Sequence, residues 1–157
     1  MTAPAWPSSI LVAVDGSDSA RRGLLHAVDL ARGSGSKLTV VTAIPTQLFG
    51  YRAGYFSFVD RHARDELRKV AQSLLDDAIA VARDAGLEGI ETTAIEGQGD
   101  VFEQIADHLQ QRAQTDIVVL GSFGHSVGDR LILGSTTQRL ILEVARRGLQ
   151  TAILVVP

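Results

Sequence analysis

The chain has 157 residues, 45% of them apolar, a formal net charge of −3 and no cysteine. That length is enough for one domain with a sizeable buried core, expected to span residues 1–157 with 1–8 as a loose arm pinned by Trp6. The mild acidity argues against a large nucleic-acid footprint, because a phosphate backbone calls for a basic surface, and the missing thiols exclude cysteine catalysis, cysteine metal sites and disulfides. No apolar run approaches the roughly 18 residues of a membrane span. The first eight residues lack the charged start and apolar centre of a secretion signal. The expected compartment is therefore the cytoplasm, away from membranes.

Ile10–Val14 is a continuous apolar run, as in a parallel strand covered on both faces. Asp15-Gly16-Ser17-Asp18-Ser19 follows, a turn rich in helix-capping residues. Ala20, Leu24, Ala27, Val28 and Ala31 recur at helical spacing, and Gly33-Ser34-Gly35 closes that helix. Leu38–Ile44 reads as a second strand, stopped by Pro45. Residues 45–59 carry five aromatic side chains, Phe49, Tyr51, Tyr55, Phe56 and Phe58. Placed after a strand end, they suit a lid over a ligand, a partner surface or a loop filling its own small core. Asp60–Ala85 is helical, with Leu67, Val70, Ala71, Leu74, Ala78 and Ala82 on one face and Asp65 and Lys69 spaced to pair. Ile90–Ile95 reads as a strand whose polar Glu91, Thr92 and Thr93 place it at a sheet edge. Val101, Phe102, Ile105, Ala106 and Leu109 mark a third helix capped by Asp100.

The stretch Asp116–Thr137 organises the rest. Ile117–Leu120 is a buried strand. Gly121 and Gly124 follow, then, nine residues on, Gly134 and Ser135 with Thr136 and Thr137. A helix face of Leu140, Ile141, Val144 and Ala145 comes next, and Ala152–Val156 is a final apolar strand. Strand, glycine loop, hydroxyls and helix start together make an anion cradle: glycine lets backbone approach a phosphate, the helix start offers unpaired N–H groups, and hydroxyls add donors. A turn made of glycine merely to reverse the chain remains the alternative for any one of these glycines, Gly128 included.

Alternating strands and helices predict an α/β fold with a parallel sheet and helices on both faces. The spacing Gly121-x-x-Gly124-(nine residues)-Gly134-Ser135 resembles the ATP-binding signature of the universal stress protein family. Ile10–Ser17 and Ile153–Val156 extend the likeness over nearly the whole chain. The resemblance implies a doubly wound, Rossmann-like five-stranded sheet of order 3-2-1-4-5, a bound adenine nucleotide (ATP, ADP or AMP) accompanied by Mg2+, and a homodimer. It also implies that backbone groups near Ala43 read the adenine edge. Strands 1 and 4, the most apolar, then meet at the switch point of the sheet, where open α/β folds bind ligands.

Asp15 stands there as a carboxylate for a ribose or a metal, or as a turn and cap residue. Gly121, Gly124, Gly134, Ser135 and Thr136 would face phosphates, with His125 and Arg130 as cationic candidates. Phe123 sits where the family commonly has a polar residue, and no proline precedes the last strand. The set of metal ligands is left open beyond Asp15: His26, His62, His108 and His125 have no metal-binding spacing. There is no G-x-x-x-x-G-K-[ST], no G-x-G-x-x-G after a strand, and no G-x-S-x-G. The leading expectation is a nucleotide-binding regulatory module with little or no hydrolysis. An enzyme acting at the α-phosphate of ATP, or an interaction dimer with an empty site, stand as alternatives. The edge strand Ala152–Val156 is expected to pair with a second copy, unless the N-terminal arm or a loop covers it.

Overall fold

A computed structural model describes residues 6–44, 57–97, 99–112, 114–122 and 133–157. Among these, strands and helices alternate: β1 (Ser9–Ala13), α1 (Asp18–Ser34), β2 (Lys37–Ala43), α2 (Ser57–Asp84), β3 (Glu91–Ile95), α3 (Val101–Gln111), β4 (Ile117–Gly121), α4 (Ser135–Arg146) and β5 (Ala152–Val156). The strands form one parallel sheet in the order β3-β2-β1-β4-β5. Both the fold class and the strand order expected from the sequence are therefore present. The aromatic segment falls largely on residues 45–56, outside the described residues; Ser57–Val59 proves to be the first turn of α2.

Alternation along the strands divides the core in two. Ile10, Val12, Val40 and Val119 face α1 and α2, meeting Leu24, Ala27, Val28 and Ala31 of α1 and Leu75, Ala78 and Ala82 of α2. Leu11, Val41, Val118 and Leu120 face α3 and α4, meeting Ile105, Ala106, Leu109, Leu140 and Val144. Right-handed crossovers require this division, because the chain winds outwards from β1 through β3 and then returns to wind the other way from β4.

The apolar face of α2 is only partly as expected. Ala71, Ala78 and Ala82 are buried, together with Leu75, but Val70 is 57% exposed. The charges also pair differently: Asp65 takes Arg68 and Lys69 takes Glu66, at 3.3 and 3.0 Å, each three residues apart. At the other pole Trp6 is exposed and does not pin the arm; Pro7 is buried instead. The Asp116 carboxylate holds this end, accepting from Ser8 N (2.7 Å), Ser8 Oγ (2.8 Å) and Ser9 N (3.2 Å).

Those donors hold the Asp116 carboxyl below its ordinary value, led by the Ser8 backbone N–H. Glu143, gripped by Arg146 and then Arg147, is lowered to about 2. A carboxyl depressed in the folded state contributes fully above its unfolded value, near 4, and that contribution is lost as pH falls through the folded value. Stability to urea is therefore expected to fall between about pH 4.5 and 2, and to fall less steeply in Asp116→Ala than in wild type. At neutral pH, Asp116→Ala is expected to cost about 2 kcal/mol, because three donors lose a charged acceptor.

Gly23, buried within α1, faces β4 across an ordinary gap: a Cβ added there would lie 3.6 Å from Val119 Cγ1 and 3.7 Å from Gly121 N. Gly23→Ala should therefore fit without strain and stabilise by about 0.5–1 kcal/mol, through helix propensity. A rise in the thermal midpoint checks it.

Candidate functional site

The chain leaves β1 towards β2 on one side and returns as β4 on the other, so the C-terminal ends of β1 and β4 open a crevice. A cavity of about 430 Å³ lies there, within the ordinary range for small-molecule sites. Its floor is the ends of β1, β2 and β4. The middle of α2 and the first turns of α1, α3 and α4 form its walls. Of the sequence-derived site residues, it brings together Asp15, Ala43, Gly121, Gly134, Ser135 and Thr136. Gly124, His125, Gly128 and Arg130 lie outside the described residues, as does Phe123.

Asp15 follows β1, and its Oδ1 accepts from Ser17 N at 2.9 Å. Gly16 between them has φ +82°, the left-handed conformation that makes this tight turn a glycine position. Ser17 then caps α1, its Oγ accepting from Ala20 N at 3.2 Å. Asp15 is thus part of the turn and part of the cavity wall at once. It is the one charged side chain on that wall among the described residues.

The orientation of the Ala43 backbone follows from the ladder. Val14 N donates to Val41 O, and Ile44 N donates to Ile95 O. Odd-numbered residues of β2 therefore turn their N–H and C=O groups towards β1, and even-numbered ones towards β3. Ala43 faces the β1 side at a level where β1 has already ended at Ala13. Its peptide groups point into the crevice.

At the β4 end, the two ends of the glycine segment meet. Gly134 N donates to Ser122 O at 2.8 Å, and Thr137 Oγ1 donates to Gly121 O at 3.0 Å. Thr137 is a tie the sequence did not single out among its neighbouring hydroxyls; its burial decides the role. Gly134 is the N-cap of α4 and brings no side chain to cap it. The first intrahelical bond is Gln138 N to Gly134 O. The first turn of α4 therefore presents backbone N–H groups, with Ser135 and Thr136, on the cavity wall. Gly121, which lines the cavity, has a second reason to be glycine. A Cβ there would lie 2.6 Å from Ala20 N and 2.8 Å from Ser19 C, and closer still to Ser19 Oγ. The start of α1 packs directly onto the end of β4.

The sequence missed the apolar wall. Leu67, Val70, Ala71 and Leu74 line the cavity from α2. Their spacing showed an apolar helix face, but spacing cannot tell a face against the sheet from one that overhangs its end. Val70, apolar and open, is the signal the structure adds. Among the described residues, no group of three His, Asp or Glu side chains is placed to hold a metal ion. No helix among them is long and apolar enough to cross a membrane.

A family model described as the universal stress protein family matches residues 8–145. A putative universal stress protein of Staphylococcus saprophyticus is 29% identical over 133 residues, covering 85% of this chain and 76% of its own. Among solved structures, the universal stress protein UspA of Lactobacillus plantarum superposes with a TM-score of 0.80 at 23% identity, covering 96% of this chain and 97% of its own. A universal stress protein solved in complex with cAMP superposes at 0.61 with 29% identity, covering 96% and 97%. With its doubly wound sheet and its glycine segment closing on the start of α4, the chain belongs to the universal stress protein family.

Proposed function

We propose that this protein is a regulatory module that binds an adenine nucleotide, ATP with Mg2+ above all, and hydrolyses it slowly or not at all. The observation that carries the reading is the polarity of the cavity. β2 and α2 lie on one side of β1, while β4 and α4 lie on the other. The first side offers an apolar wall and the free peptide edge of Ala43, suited to a base. The second offers the start of α4 with Ser135 and Thr136, suited to phosphates. Asp15 stands between them, at the level of a ribose. Gly124 and His125 would complete the phosphate end. That a 29%-identical universal stress protein was solved with cAMP supports an adenine ligand. A magnesium ion would be carried chiefly by phosphate oxygens and water, with Asp15 the carboxylate at hand. The chain is proposed to act in the cytoplasm, as a homodimer through β5.

Calorimetry of the wild type with ATP and magnesium tests the reading, and no binding at millimolar nucleotide overturns it. Asp15→Ala is expected to weaken binding by about 1–3 kcal/mol, the cost of a lost charged hydrogen-bond partner. Because Asp15 also accepts from Ser17 N, thermal melts of the variant are needed beside the titration. Unchanged affinity with a lowered midpoint assigns Asp15 to the turn alone. Chromatography of the nucleotide after incubation measures hydrolysis, and rapid release of AMP would favour an enzyme acting at the α-phosphate.

A further inference from the structure

Gln104, in the first turn of α3, is 1% exposed. Its Nε2 donates to Ile44 O at 3.1 Å and to Gly99 O at 3.2 Å. Its Oε1 is buried with no hydrogen-bond partner among the described residues. Two carbonyl acceptors fix which way round the amide lies, since turning it over would set Oε1 against both. An unpaired buried acceptor is unfavourable, and an apolar side chain of similar volume would avoid it. What the amide alone supplies is its pair of N–H donors, reaching from α3 to the end of β2.

That end is the floor of the cavity, lined by Thr42, Ala43 and Ile44. β2 finishes at Ala43, and Ile44 makes the last hydrogen bond to the β3 side, through its N–H. The Ile44 carbonyl comes next, where Gln104 takes hold. The anchor behind Gln104 is firm: Gly99 has φ +89°, and the Glu103 carboxylate accepts from Asp100 N at 2.9 Å in a capping box.

We propose that Gln104 is a positioning residue for base selection: by tying the exit of β2 to the start of α3, it sets the direction of the Ala43 N–H and C=O groups. This rests on the nucleotide reading above. Adenine presents an acceptor (N1) beside a donor (the N6 amino group), which matches a peptide N–H beside a C=O. Guanine presents the reverse, an N1–H donor beside the O6 acceptor. Discrimination between them depends on the strand end holding its orientation. Loosening it costs selectivity, while the phosphate end, built on α4, is untouched.

The test compares wild type, Gln104→Leu and Gln104→Met by calorimetry with ATP, GTP and inorganic tripolyphosphate, each protein first shown to melt cooperatively. Wild type is expected to prefer ATP. The variants are expected to lose about tenfold in ATP affinity and in the ATP-to-GTP ratio, the equivalent of one hydrogen bond, and to keep their affinity for tripolyphosphate. Methionine, unbranched and close in volume, decides the matter if the leucine variant fails to fold. A folded variant with an unchanged ratio overturns the inference and leaves the nucleotide reading standing. An equal loss towards tripolyphosphate also overturns it, by showing a general structural role. A wild type that binds no nucleotide overturns the reading and this inference together.

Discussion

Gly121→Ala is expected to lower folding stability by about 3 kcal/mol, the upper end of the range for overpacking. The added methyl would meet backbone, with Ala20 N at 2.6 Å and Ser19 C at 2.8 Å. Neither atom can turn aside like a flexible side chain. Ala20 N is already engaged by the Ser17 cap, and Ser19 and Ala20 are buried. Relief requires α1 to lift off β4, disturbing a close-packed layer. Gly23→Ala in the same helix, with its contacts at 3.6 Å and beyond, carries the opposite sign, so the pair separates packing from any general effect of replacing glycine. Urea unfolding of both variants makes the measurement. A Gly121→Ala protein as stable as wild type, but weaker for ATP, would return Gly121 to the phosphate site.

The sequence made the sheet legible because burial on both faces leaves β1 and β4 continuously apolar, whereas the polar Glu91-Thr92-Thr93 marks β3 as an edge. The Gly121–Ser135 spacing located the crevice for a related reason: a chain that must approach another backbone closely has few residue types to choose from. What stayed hidden depends on long-range contact. Asp116 read as the residue before a strand, yet it ties that strand to Ser8, more than one hundred residues away. Nothing in the sequence marks Gln104, because nothing local shows that its amide reaches the Ile44 carbonyl. Leu67, Val70 and Leu74 belong to a regular helical stripe. Whether such a stripe meets the sheet or overhangs its end depends on where the strands stop. Gly121 reads as a phosphate glycine and does line the cavity, but its contact with the start of α1 was hidden, because close approach to a ligand and close approach to a helix demand the same residue.

Val155→Pro is expected to break the proposed homodimer while leaving the protomer folded. Ala152 N donates to Asp116 O, and Ser122 N donates to Val156 O. Even-numbered residues of β5 are therefore bonded to β4, and odd-numbered ones turn their N–H and C=O groups to the open edge. Leu154, which from sequence alone is as good a site for proline as Val155, is excluded by this register: proline there would remove a bond inside the sheet. Val155 loses only an outward donor. The N-terminal arm does not lie along this edge in its described part. Ser36 Oγ donates to Pro7 O, which places the arm beside the start of β2, on the side of β1 away from β5. Leu154 is 37% exposed, an apolar side chain open on the edge strand. In a two-fold antiparallel pairing each substitution acts twice, once per protomer. Two lost hydrogen bonds amount to about 2 kcal/mol, or roughly thirtyfold in the dimer dissociation constant. Light scattering across a concentration series reads that shift, and Leu154→Pro is expected to lower the thermal midpoint at every concentration. A Val155→Pro protein that remains dimeric would move the interface away from β5, and a wild type that stays monomeric at high micromolar concentration would remove the dimer altogether.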